Sequence, residues 1–264
     1  MADPRDDDPI DDKPMPLLEH LIELRRRLIW SMAAFMIAFF VCYYFSKQIY
    51  VFLAQPLADI LLAKGGDRHM IFTALYEAFF TYLKVAMFGA LFVSFPVISM
   101  QIWMFVAPGL YRSEKRAMLP FLIATPILFF LGGALAYYFV FPFAWRFFLS
   151  FEIPEGTGGL PVQLDAKVGE YLDLVMKLIF AFGITFELPV LLTLLAKVGI
   201  VTSASLKKFR RYAYVGMFVV AAILAPPDVI TQVGLAVPLI GLYEISILTA
   251  RMVEPKPAED KADA

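Results

Sequence analysis

The stretch Ala117–Trp145, AMLPFLIATPILFFLGGALAYYFVFPFAW, runs for 29 residues without an Asp, Glu, Lys or Arg. A helix of about 20 residues, rising 1.5 Å each, crosses a ~30 Å hydrocarbon core, so this stretch reads as a transmembrane helix. Charge-free runs of the same kind lie on its amino-terminal side at Leu28–Ser46 and Val85–Tyr111. On its carboxy-terminal side Leu178–Ala196 is interrupted only by Glu187. Two shorter runs, Tyr212–Pro227 and Val229–Tyr243, flank Asp228 and meet at Pro226-Pro227. Together they are too long for one helix and read as a hairpin. The expected fold is an all-α integral membrane protein of six spans.

Composition agrees with that reading. Hydrophobic types make up 60% of the 264 residues and charged types 18%, the balance of a chain surrounded by lipid. A net charge of −1 leaves no overall basic footprint for nucleic acid. The single cysteine, Cys42, excludes an intramolecular disulfide framework and a cysteine-based zinc site. The expected organisation is an acidic, disordered leader over residues 1–16, a membrane domain over 17–250 and a solvated tail over 251–264. The leader carries Asp6, Asp7, Asp8, Asp11 and Asp12. It resembles neither a cleavable signal peptide nor a Ser/Arg-rich, acid-poor transit peptide, which favours a bacterial inner membrane over a plastid one.

Lysine and arginine set the expected orientation. With both termini and the loops after spans two and four on the cytoplasmic side, sixteen basic residues lie inside and seven outside, so the positive-inside rule favours N-in, C-in. On the outside, Lys47–Leu62 reads as an interfacial helix bent at Pro56. Glu77–Lys84 reads as a helical approach to span two, and Asp165 as the cap of a helix entering span four. The last two charge-free runs reach only ~24 Å at 1.5 Å per residue. Either these helices are short and thin the bilayer locally, or Arg211 and Glu244 snorkel and the apolar run understates the helix.

Charged residues in this setting need a reason. Glu187 sits at the centre of its run, where a carboxylate costs about 2.5 to 3.5 kcal/mol on insertion scales. It reads as a proton or ion relay, a polar contact to another transmembrane helix, or a protonated acid satisfied within the bundle. The first three spans offer no second ionisable residue at similar depth, which weighs against a relay. Glu23 and Arg27 are spaced for an i, i+4 ion pair, and Glu114 stands among Arg112, Lys115 and Arg116 in a positive-inside loop. No HExxH, phosphate-binding loop or paired membrane aspartates occur. The sequence shows no catalytic residues, no metal site and no cofactor site, and no internal repeat of the kind built into many secondary transporters.

Several ordered motifs nevertheless resemble one family. They include Glu19-His20-Leu21-Ile22-Glu23-Leu24-Arg25-Arg26-Arg27-Leu28, Pro56-Leu57, Glu77-x-Phe79 with Lys84, and Pro96. Gln101-x-Trp103-x-Phe105-x-x-Pro108-Gly109-Leu110-Tyr111-x-x-Glu114-Lys115-Arg116 and Phe141-Pro142 come next. Phe186-Glu187-Leu188-Pro189, Arg210-Arg211-Tyr212, Pro226-Pro227-Asp228-Val229-x-x-Gln232 and Tyr243-Glu244 follow. In this order, from Leu17 to Ile247, the chain resembles the TatC family, the multi-spanning receptor of the twin-arginine protein translocase. One departure is Ala74-Leu75, where the family often has Ser-Pro.

The resemblance implies a concave, glove-like bundle of six helices with short fifth and sixth spans and both termini cytoplasmic. It implies a receptor for the twin-arginine signal peptides of folded cargo, with export driven by the proton gradient. Glu23 and Glu114 match the positions that take the arginine pair, which suits the planar guanidinium fork better than lysine. Arg25 would orient Glu23 or the first helix, and Phe105 would line the site. Glu187 would contact single-spanning partner subunits of the TatA and TatB type in a multimeric complex. Pro56 and Pro108 are motif positions, and Asp228 and Gln232 would lie at the outer tip of the last hairpin. A small-solute or proton-coupled transporter using Glu187 is the alternative.

Overall fold

The computed structural model describes residues 17–65, 69–106, 115–153, 160, 162–225 and 228–254. Nine α-helices carry them: α1 (Leu17–Tyr44), α2 (Ser46–Lys64), α3 (Glu77–Val106), α4 (Lys115–Leu135), α5 (Phe141–Phe148), α6 (Val168–Thr185), α7 (Leu188–Lys197), α8 (Ser203–Leu224) and α9 (Val229–Val253). A π-helical turn, Ala136–Val140, joins α4 to α5. Among the described residues the only β-pairing is two isolated bridges, Ile71 with Lys167 and Ile153 with Val162.

Five stretches are long and apolar enough to cross a membrane: His20–Tyr44, Glu77–Phe105, Leu119–Phe151, Val168–Lys197 and Val229–Val253. α8 falls outside this group because Lys207, Lys208, Arg210 and Arg211 occupy its amino-terminal half. The expectation of short fifth and sixth helices is corrected. α8 has 22 residues and α9 has 25, because the backbone continues as helix through Arg211 and Glu244. The apolar run understates the helix, as snorkelling side chains allow. α9 also runs three residues past position 250, where the tail was expected to start.

Prolines account for the breaks. Pro189 lacks an N–H and its ring clashes with the carbonyl four residues back, which is Thr185, and α6 ends there. The fourth apolar run is therefore two helices, with Glu187 at the break and not inside a continuous helix. Pro142 acts on the carbonyl of Tyr138, inside the π turn, where Phe141 N–H reaches back to Ala136 O. The wider turn lets the chain pass from α4 into α5 without a loop.

The core is built from α2, α4 to α6 and α9, with Phe129, Phe141, Phe182, Leu172 and Leu235 fully buried. α1 packs on α3 and is otherwise open. Its apolar window is only 11% buried, against 61% for Val168–Lys197. Trp30, Ile37 and Phe40 lie bare along it, as on a helix bordered by acyl chains. α4 and α6 approach closely through small residues. A Cβ on Gly132 would lie 2.5 Å from the Phe182 carbonyl oxygen, and one on Gly183 would lie 2.7 Å from the Phe129 ring.

α2 is the expected helix, with Pro56 inside it. Its apolar side, however, is buried against the bundle through Leu53, Ala54, Leu57 and Leu61. Pro56 removes the N–H that would bond Phe52 O. The Tyr137 hydroxyl donates to Phe52 O at 2.6 Å, and the Tyr171 hydroxyl to Leu53 O at 3.0 Å.

The same end of the molecule is tied together by two further contacts. Lys64 Nζ donates to Leu149 O at 2.7 Å and pairs with Glu152 at 3.0 Å. The Glu77 carboxylate accepts from Thr73 N at 2.8 Å, Ala74 N at 3.3 Å and Gly169 N at 3.2 Å. Glu77 thereby satisfies an orphan donor at the start of α6. The role expected of Asp165 is corrected: the residue at that cap is Lys167, with no side-chain cap bond.

Candidate functional site

At the opposite end, the first turns of α1 meet the last turns of α3. A helix places residues three and four apart on one face, so His20, Glu23 and Arg27 line up towards α3. Arg27 Nη2 donates to Glu23 Oε1 at 3.1 Å. Its Nη1 reaches Gln101 Oε1 at 3.3 Å and Met104 Sδ at 3.4 Å. About one turn before Glu23, the His20 ring stacks on Phe105, centroids 4.3 Å apart and planes 22° from parallel.

Glu23 and Phe105, far apart in sequence, are thus brought to one site. Glu23 keeps 21% of its side chain exposed and Arg27 keeps 27%. The carboxylate is held by one oxygen and still reaches solvent. A half-buried anion of fixed orientation beside an aromatic face is suited to a cationic, planar ligand group. One of the two roles expected of Arg25, orienting Glu23, is corrected here. Arg25 is exposed on another face of α1, and Arg27 is the residue that orients Glu23. The i, i+4 spacing pointed to this pair. Nothing local pointed to Gln101 and Met104, which lie 74 and 77 residues further along the chain. Glu114 and Pro108 lie outside the described residues.

A second polar group lies within the bundle. Trp103 Nε1 donates to Thr125 Oγ1 at 2.9 Å, and the Thr125 hydroxyl faces the Glu187 carboxyl. α3, α4 and the α6–α7 break each supply one member. Glu187 Oε1 is buried and has no hydrogen-bond partner. An acceptor left open in an apolar setting costs free energy and invites a donor from outside the chain.

At the far end of the last hairpin, Asp228 caps α9 by accepting from Thr231 N at 2.7 Å. Gln232 Nε2 reaches Phe218 O across the hairpin at 3.5 Å. Pro226 and Pro227 lie outside the described residues. Glu244, further along α9, holds Arg210 at 2.7 Å and accepts from the Tyr214 hydroxyl.

Comparison with known proteins places these features in a family. The model of the family described as "Sec-independent protein translocase protein (TatC)" matches residues 19–238. A protein of that name from Magnetococcus marinus is 54% identical over 247 residues, covering 94% of this chain and 88% of its own. The protein of the same name from Escherichia coli is 42% identical over 236 residues, covering 89% of this chain and 88% of its own. A crystal structure described as the twin arginine translocase receptor TatC superposes with a TM-score of 0.73 at 40% identity. It covers 89% of this chain and 99% of the solved one.

Proposed function

The chain belongs to the TatC family of Sec-independent protein translocase proteins, and from that membership we propose that it binds twin-arginine signal peptides of folded proteins and gathers the subunits that export them. It is a multi-spanning membrane protein and the receptor component of a twin-arginine translocase. The observation that carries the finer reading is the Glu23 carboxylate, fixed by Arg27 and flanked by the His20–Phe105 stack.

In this reading one arginine of the signal peptide docks on Glu23 and the other on Glu114, with Phe105 covering the aliphatic stems. Arg25, exposed on another face of α1, orients the first helix. A lysine pair lacks the planar fork and binds more weakly. Glu187 and its open oxygen accept a hydrogen bond from a single-spanning TatA- or TatB-type subunit, and Asp228 and Gln232 contact such subunits at the hairpin tip. Pro56 and Pro108 shape the segments that frame these sites. α8 makes the sixth span, with both termini in the cytoplasm of a bacterium and the bundle in its inner membrane. The proton gradient drives export, and no residue of this chain needs to turn over chemically.

The test is copurification of the detergent-solubilised chain with a twin-arginine peptide, its Lys-Lys counterpart and a photocrosslinker beside the pair. Retention of Arg-Arg, loss of Lys-Lys and crosslinks to Glu23 and Glu114 are expected. A charge-assisted hydrogen bond is worth about 1.5 to 3 kcal/mol, so Glu23→Ala should weaken binding by roughly 10- to 100-fold. Equal retention of both peptides, or export intact in the Glu23→Ala/Glu114→Ala variant, overturns the proposal.

A further inference from the structure

The amino-terminal half of α8 carries four cations in five residues, and their fates differ. Arg210 is paired with Glu244 at 2.7 Å. Lys207, Lys208 and Arg211 are exposed, and among the described residues they form no ion pair. α8 contains no acidic residue to neutralise them. At 100° per residue these three fall within one ~100° arc of the helix.

The same side of the helix changes character along its length. Tyr212 follows the cations, then Val215 and Val219, exposed by 60%, 65% and 54%. The Arg211 guanidinium lies over the Tyr212 ring, 4.8 Å from its centroid, and donates to its hydroxyl at 3.1 Å. That contact fixes one cation at the boundary, where an amphipathic ring favours the headgroup level. From the amino-terminal end, the order is three cations, one tyrosine and bare valines. A phospholipid presents the same order: phosphate, ester region, acyl chain.

We propose that this side of α8 binds one anionic phospholipid of the surrounding bilayer, its phosphate seated on Lys207, Lys208 and Arg211 and a chain lying along Val215 and Val219. Charge alone would serve to orient the chain in the membrane, but it gives no reason for the cations to line up above a bare apolar strip or for Arg211 to be pinned on Tyr212. An acidic polypeptide would meet the cations and leave the valines uncovered. The site rests on α8 lying in the bilayer and is independent of signal-peptide recognition.

The experiment is native mass spectrometry of the full chain in detergent, titrated with phosphatidylglycerol and phosphatidylcholine of equal chain length. Each cation near an anionic headgroup contributes roughly a fivefold factor in affinity. The tightest phosphatidylglycerol should therefore bind at least about tenfold better than phosphatidylcholine. The Lys207→Gln/Lys208→Gln/Arg211→Gln variant should lose that lipid, and Lys47→Gln/Lys177→Gln should keep it. Val215→Ser/Val219→Ser, with all three cations in place, should weaken it as well. All these positions are exposed, and an unchanged thermal midpoint confirms folding. Retention by the triple variant overturns the proposal. So does indifference to the valine changes, or zero-length crosslinks joining the aspartates of residues 6–12 to Lys207 or Lys208, which would make the chain's own leader the occupant.

Discussion

At Pro56 the chain gives up a backbone donor, and two tyrosines from distant helices attend the carbonyls beside it. Tyr137 takes the carbonyl that Pro56 cannot serve, with its ring stacked on Phe52 at 4.5 Å. A buried acceptor left unmet costs about 1 to 3 kcal/mol, so Tyr137→Phe should lower the thermal midpoint in detergent. Pro56→Ala restores an N–H at that position. The cost of Tyr137→Phe should shrink in the Pro56→Ala background, and a double-mutant cycle showing no coupling would refute this account. Glu187 makes the opposite case. Replacing its open carboxyl by an apolar side chain removes an unsatisfied group, so Glu187→Leu should hold or raise the thermal midpoint while copurification with a single-spanning partner falls. A drop in both would mark it as a structural residue only.

Among the elements, α4 and α6 approach each other closely at two glycines, Gly132 and Gly183. Gly132 faces the Phe182 carbonyl with no room for a methyl group. Backbone cannot yield as a side-chain end can, so Gly132→Ala should cost about 1 to 3 kcal/mol, read as a loss of thermal stability. Gly216, with open space around its Cβ position, is the control, and Gly216→Ala should be neutral or slightly stabilising.

What the sequence discloses at this scale depends on how local the cause is. The positions of α1, α3 and the α4–α5 rod follow from charge-free runs, and α2 from its spaced apolar residues. The break at Glu187 was also within reach, since Pro189 stands two residues on, but a strong apolar run conceals a helix end. The pairing of Glu77 with Gly169 spans 92 residues and has no local signature. The same holds for Arg27 with Gln101. For Glu23, spacing offered Arg27 and the family resemblance offered Arg25, and the structure pairs Glu23 with Arg27, which also reaches Gln101 on α3.

Over the whole molecule, the helix ends sort into two groups. One end gathers the start of α3, the end of α2, the loop after α5 and the start of α6. The other gathers the start of α1 with the end of α3, and the start of α8 with the end of α9. An even number of crossings follows if α8 crosses as well. Cys42 is the chain's one cysteine, so Cys42→Ser gives a clean background for labelling. In intact cells or sealed vesicles, Ala204→Cys and Ile230→Cys should react with an impermeant maleimide from opposite sides. Labelling of both from one side would leave five spans and would place the termini on different sides of the membrane.

The clasp at the second end bears on how the protein can be handled. Glu254, one residue beyond α9, accepts from the backbone N–H and the hydroxyl of Ser203, while Thr202 accepts from Ser205 N at 3.1 Å. The residue that follows α9 is thus the stopper on another helix. An affinity tag or fluorescent reporter joined directly after Val253 would remove that stopper and let the first turn of α8 unravel, whereas one appended after Ala264 would leave it in place.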